Sequence, residues 1–100
     1  MNLCTVVMVS RRAGPMLVAA VKSVLRQKQL AELVIIDGGN PPDMLARLQQ
    51  IALNEQRLRI VTGLGSVEFA RGCNLGSKEA TGDYLVFMSP DCLLPPDALK

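Results

Sequence analysis

The sequence predicts an α/β fold: three layers, α/β/α, around a mainly parallel four-stranded sheet in the order β-α-β-α-β-α-β, with strand order 3-2-1-4 expected. Two observations carry this reading. Four short apolar runs, at residues 4–9, 33–36, 58–62 and 84–88, are rich in Val, Ile or Leu and lack polar alternation. Strands buried on both faces of a parallel sheet read this way. Three segments with helical periodicity separate them, and strands alternating with helices imply right-handed parallel crossovers.

The first helix is expected after Gly14-Pro15, because proline suits the first helical turn. Its apolar residues Leu17, Val18, Val21, Val24 and Leu25 fall on one face. The second is expected from Asn40-Pro41-Pro42, with Asn40 as N-cap. Met44, Leu45, Leu48, Ile51 and Ala52 form its stripe. The third is expected over 66–80, where Phe69, Cys73, Gly76 and Ala80 share a face and Gly82 suits a helix stop. Gly72 and Gly76 stand four apart inside it. Interior glycine weakens a helix, so the pair implies close approach to the sheet or to a ligand.

One hundred residues suffice for one domain. A net charge of +2 and three aromatics without Trp argue against a nucleic-acid surface. Cys4, Cys73 and Cys92 have no CxxC spacing, and the chain has no His to complete a common zinc set or to activate a thiol. Buried free thiols in a reducing compartment are therefore expected. The apolar run at 3–9 is too short for a signal peptide, and Arg11-Arg12 follow it. No stretch reaches the roughly 20 apolar residues of a membrane span. A cytoplasmic location is expected, with a larger parent protein free to dock on a membrane.

In a parallel sheet every strand ends along one edge, and ligands bind in the crevice outside it. The residues leaving the strands are Ser10-Arg11-Arg12, Asp37-Gly38-Gly39, Gly63-Leu64-Gly65 and Ser89-Pro90-Asp91. Topology alone thus brings Asp37 and Asp91 to one edge. Asp37 either satisfies backbone amides of a sharp turn or accepts hydrogen bonds from a nucleobase or ribose. Asp91 either caps the turn after the fourth strand or supplies an oxygen to Mg²⁺ or Mn²⁺, cations that bind through one or two carboxylates plus substrate phosphates. Gly63-Leu64-Gly65 lacks the third glycine of a dinucleotide fingerprint, since Glu68 stands there, and it follows the wrong strand. A glycine-rich turn is expected instead. For Arg11 and Arg12 a solvated loop is favoured over a phosphate contact.

Three blocks of the chain, in order, resemble the N-terminal half of the family 2, GT-A-type inverting glycosyltransferases, a partial GT-A and Rossmann-like fold. "VVMVSRRAGPMLVAAVKSVLRQ" resembles the opening strand, turn and helix, and "LVIIDGGN" the second strand and its turn. "FARGCNLGSKEATGDYLVFMSPDCLLPPDAL" resembles the third helix, fourth strand and metal-binding turn, and is the most specific block. The resemblance places Ser10 near the nucleotide, Asp37 on the base or nucleoside, and Arg71 and Asn74 on the helix bordering the nucleotide. It makes Asp91 the last Asp of the Asp-x-Asp metal motif. Arg11-Arg12 stand where the family often has Tyr-Asn, Glu68 where it has Gly, Gly38 where it has a second acidic residue, and Asn40 where it has Ser. Ser89 replaces the first Asp of the metal motif, so the implied Mg²⁺ or Mn²⁺ site is weaker and leans on diphosphate oxygens. Ser-Pro-Asp resembles the Asn-Pro-Asp form of relatives that transfer deoxysugars such as rhamnose.

The resemblance implies binding of a UDP- or dTDP-linked sugar and, in a full enzyme, its transfer with inversion to a hydroxyl of a saccharide or lipid-linked acceptor. The family's acceptor site and catalytic acidic residue would lie beyond Lys100. The expectation is a single domain over 1–100, the nucleotide-sugar-binding part, inactive alone. The alternative is a degenerate, non-catalytic nucleotide-binding module. A third possibility is a structural fragment that forms a homodimer over its open sheet edge.

Overall fold

The computed structural model of the chain describes residues 3–10, 16–62, 69–89 and 93. Its elements are β1 (Cys4–Ser10), α1 (Met16–Leu25), β2 (Leu30–Asp37), α2 (Pro42–Leu53), β3 (Leu58–Val61), α3 (Phe69–Glu79) and β4 (Tyr84–Met88). All strand pairs are parallel, and the sheet runs β3-β2-β1-β4. The expected alternation and strand order are both present.

Alternate residues of the central strands feed two cores. Val6, Met8, Leu33 and Ile35 face one side and pack with Leu17, Val21 and Val24 of α1 and Leu48 of α2. Val7, Val9, Val34 and Ile36 face the other, with Cys73 and Leu75 of α3 against them. A sheet sandwiched between helices must bury both faces of its central strands, and β1 and β2 do so. The edge strands depart from that expectation. Tyr84, Leu85 and Phe87 of β4 are exposed, so the apolar run at 84–88 is half-open rather than fully buried.

β2 is longer than its apolar run because it includes Glu32, which the apolar pattern excluded. Glu32 is buried, and its charge is matched: Arg59 of β3 lies 3.1 Å away, while the Thr81 amide and hydroxyl both donate to Oε2. A buried carboxylate is tolerated only when paired and hydrogen-bonded in this way. Arg57 fastens the end of α1 by donating from Nη1 to the Gln27 carbonyl at 3.2 Å and from Nη2 to the Leu25 carbonyl. The Leu25 carbonyl ends α1, where carbonyls lack intrahelical donors, and the Gln27 carbonyl also accepts from Leu30 N at 3.4 Å.

Gly72 and Gly76 explain themselves as close packing on the sheet. A Cβ on Gly72 would stand 2.5 Å from Val9 Cγ2, and one on Gly76 2.3 Å from Val7 Cγ1. Of the expected buried thiols, Cys4 and Cys73 are free but only half-buried. Burial pushes the Cys73 thiol pKa up, which makes it a poorer nucleophile at neutral pH. Cys92, Arg11, Arg12, Gly63-Leu64-Gly65 and the helix start expected at 66–68 lie outside the described residues.

Candidate functional site

The strand ends build the site. Ser10 and Asp37 are register partners, the last residues of β1 and β2. The ladder continues one step past them, with Gly38 N donating to Ser10 O at 2.8 Å. The chain then turns sharply, and Gly39 takes φ 119°, in the region that favours glycine.

Within this turn Asp37 Oδ1 gathers three donors: Gly39 N at 3.2 Å, Asn40 N at 3.0 Å and Asn40 Nδ2 at 2.9 Å. The turn-satisfying role of Asp37 is thus real for one oxygen. No described residue donates to the other, Oδ2.

Asn40 is not the N-cap of α2. Pro41 takes that position, with φ −58° and ψ 148°, and no side chain caps the helix. Two consecutive prolines shift the helix start by one residue, since Pro42 fits the first helical position and needs no N–H partner. The Asn40 side chain turns back to the strand ends instead. Its Nδ2 donates to Ser10 O at 3.0 Å, and its Oδ1 accepts from Ser10 Oγ at 2.9 Å. Asn40 is the one residue of this cluster whose part in it the sequence reading missed. The only local signal was Asn immediately before Pro-Pro, a context that favours extended backbone and removes the residue from the helix.

Ser10 is fully buried and reaches the edge through Asn40 rather than directly. Arg71 and Asn74 are exposed on α3. Because Gly72 rests on Val9 near the end of β1, Arg71 lies in the turn of α3 closest to the ligand edge. The Ser77 hydroxyl donates to the Asn74 carbonyl. No hydrogen bond joins Arg71 or Asn74 to the Ser10–Asp37–Asn40 cluster among the described residues. Ser89 is exposed directly after β4, and Asp91 lies outside the described residues. No described helix is long and apolar enough to cross a membrane.

The fold places the chain among solved glycosyltransferase structures. A mannosyltransferase, PcManGT from Pyrobaculum calidifontis, solved with GDP-Man and Mn²⁺, is similar at a TM-score of 0.83 and 19% identity, covering 96% of this chain and 29% of that one. TarS 1-349 from S. aureus is similar at 0.76 and 16%, covering 89% and 27%. GalNAc-T7, solved with UDP, GalNAc and Mn²⁺, is similar at 0.77 and 22%, covering 89% and 18%. At these identities the likeness is one of fold, the GT-A arrangement. The chain spans less than a third of each of these structures. No curated protein matches the chain. The family model described as "Glycosyl transferase family 2" matches residues 5–100. The chain belongs to glycosyl transferase family 2.

Proposed function

We propose that the chain is the N-terminal, donor-binding part of an inverting glycosyltransferase and holds a UDP- or dTDP-linked sugar at the C-terminal edge of its sheet. One observation carries this reading. Ser10 and Asp37, at the ends of the two central strands, are tied together through Asn40, with Asp37 Oδ2 open to a donor. A carboxylate oxygen held in this way accepts a hydrogen bond from a nucleobase N–H or a ribose hydroxyl. Family membership supports the reading, as do the nucleotide ligands of the similar structures: GDP-Man in PcManGT, and UDP-GlcNAc and UDP in TarS. Arg71 and Asn74 border the nucleotide in this reading.

A divalent cation, Mg²⁺ or Mn²⁺, would be held by Asp91 together with the donor's diphosphate oxygens. Its chemistry is to stabilise the charge that grows on the leaving nucleoside diphosphate. Mn²⁺ in the PcManGT and GalNAc-T7 structures supports this role. The residues fit a lean site. Ser89 brings an exposed hydroxyl where a second carboxylate would stand, and the described residues contain no group of three or more His, Cys, Asp or Glu that could hold a metal. In this reading the acceptor hydroxyl belongs to a saccharide or a lipid-linked carrier, and an acidic residue of the full enzyme deprotonates it.

Titration of the chain with UDP and dTDP, with and without Mn²⁺, tests the reading. Binding that Mn²⁺ tightens, and that Asp37→Ala weakens about tenfold, is the expected result. Absence of binding to either nucleotide overturns it. Ser89 and Gly38, standing where acidic residues are usual, favour a second reading, a nucleotide-binding module without metal or catalysis. Binding indifferent to Mn²⁺ and to Asp91→Ala selects that one.

A further inference from the structure

The Asn40 amide can be oriented in only one way. Ser10 O and the Asp37 carboxylate are both acceptors, so the group 3.0 Å from one and 2.9 Å from the other must be Nδ2. Oδ1 then faces the Ser10 hydroxyl, which donates to it at 2.9 Å. One side chain therefore bonds the backbone and hydroxyl of β1 and the carboxylate of β2 at once. It also supplies the shortest of the three bonds into Asp37 Oδ1.

A carboxylate held by one oxygen has a fixed second oxygen. We propose that Asn40 is a positioning residue for nucleobase selection: it sets the rotation of the Asp37 carboxylate and leaves Oδ2 as an acceptor of fixed direction at the ligand edge. An acceptor so placed pairs with a base that presents an imino N–H, as uracil and thymine do at N3. It repels cytosine, whose N3 is itself an acceptor, and the unpaired contact costs affinity rather than being neutral. Two backbone amides still reach Oδ1 without the Asn40 side chain. Its removal therefore loosens the carboxylate rather than releasing it, and selectivity falls before binding is abolished. The inference rests on the reading of Asp37 as a nucleotide contact.

The test is calorimetric titration of the 100-residue chain with UDP and with CDP, for the wild type, Asn40→Ala, Asn40→Asp and Asp37→Ala. Asn40→Asp keeps the shape but turns a donor into an acceptor facing two acceptors. The wild type is expected to prefer UDP by at least tenfold, in line with the loss of a charge-assisted hydrogen bond. Both Asn40 variants are expected to weaken UDP about tenfold while leaving CDP unchanged, so that the ratio collapses. Wild-type discrimination in Asn40→Ala, with UDP binding weakened about tenfold in Asp37→Ala, overturns the role of Asn40 and leaves the nucleotide site standing. An equal loss of UDP and CDP shows a merely structural role and also overturns it. Failure of the wild type to bind either UDP or dTDP overturns both readings. Should the variants not fold, NMR of the wild type decides. The Asn40 side-chain amide protons are expected to exchange slowly and to shift with UDP but not with inorganic phosphate. Fast exchange, or identical responses to both, overturns the proposal.

Discussion

Glu32 and Arg59 form a cross-strand ion pair of 3.1 Å at the opposite edge of the sheet from the candidate site, with Glu32 buried and Arg59 nearly half-exposed. Arg59 also reaches Glu79 at 2.5 Å and the Glu79 carbonyl at 3.1 Å, so it joins β2, β3 and the end of α3. Glu32, and to a lesser degree Glu79, raise the guanidinium pKa above its ordinary value.

The two halves of this network are unequal. Glu32→Ala leaves the Thr81 amide without its acceptor and empties a buried position, and should cost about 2–4 kcal/mol. Glu79→Ala removes an exposed pair and should cost under about 1 kcal/mol. Urea denaturation of both variants measures the difference. Equal losses would show that the burial of Glu32 is immaterial.

Gly76 and Val7 give the second prediction. Gly76→Ala forces a Cβ to within 2.3 Å of a branched side chain in the middle of β1. Overpacking of this kind costs about 1–3 kcal/mol, against the gain of under about 1 kcal/mol that alanine brings to a helix. Val7→Ala opens the space. The double variant should therefore be more stable than the sum of the two single losses predicts, and a thermodynamic cycle reads that coupling. Additive losses would mean that α3 simply moves away.

Glu55 supplies the pH dependence. The Arg57 hydrogen bond holds its carboxyl below the ordinary value. A depressed folded-state pKa contributes stability that is complete above the unfolded-state value, about pH 4.3. That stability is lost as pH falls through the lower, folded value. Both side chains are about a third exposed, so solvent screens the pair and the effect is small. Glu55→Gln should flatten the stability curve below about pH 4.5 and leave it unchanged in shape near neutrality. Thermal melts across that range check it, and an unchanged slope in acid would assign acid sensitivity to other carboxylates.

The fold was legible because its signals are local or periodic. The runs that became β1 and β2 are continuously apolar, and Leu17, Val21 and Val24 already stood on one helical face. What periodicity does not carry is the partner of a polar residue far away in the chain. Glu32 falls outside the apolar run at 33–36 until Arg59 and Thr81, 27 and 49 residues later, are seen to enclose it. Asn40 reads as a helix cap until Ser10, 30 residues earlier, is found beside it. The exposure of Leu85 and Phe87 was equally hidden, since an apolar run at an edge does not state how much of its surface the rest of the chain covers. For the site, topology put the strand ends that carry Ser10 and Asp37 along one edge, whereas Asp91, which it brought to Asp37, lies outside the described residues. How one residue joins them depended on a proline-shifted helix start.

Gly39 carries the last prediction. Its φ of 119° is one that side-chain-bearing residues rarely adopt, yet nothing lies within 4 Å of where a Cβ would stand. Gly39→Ala therefore meets no steric neighbour, and its cost is purely conformational, about 1–2 kcal/mol. The turn can relieve that strain only by rotating the peptide that donates to Asp37 Oδ1. Stability and UDP binding should then fall together in Gly39→Ala. In Gly76→Ala, at a helix–sheet contact on α3, stability alone should fall. Equilibrium unfolding and calorimetric titration on the same two variants separate these outcomes. A Gly39→Ala chain with wild-type stability would show that the turn adopts another backbone conformation in solution.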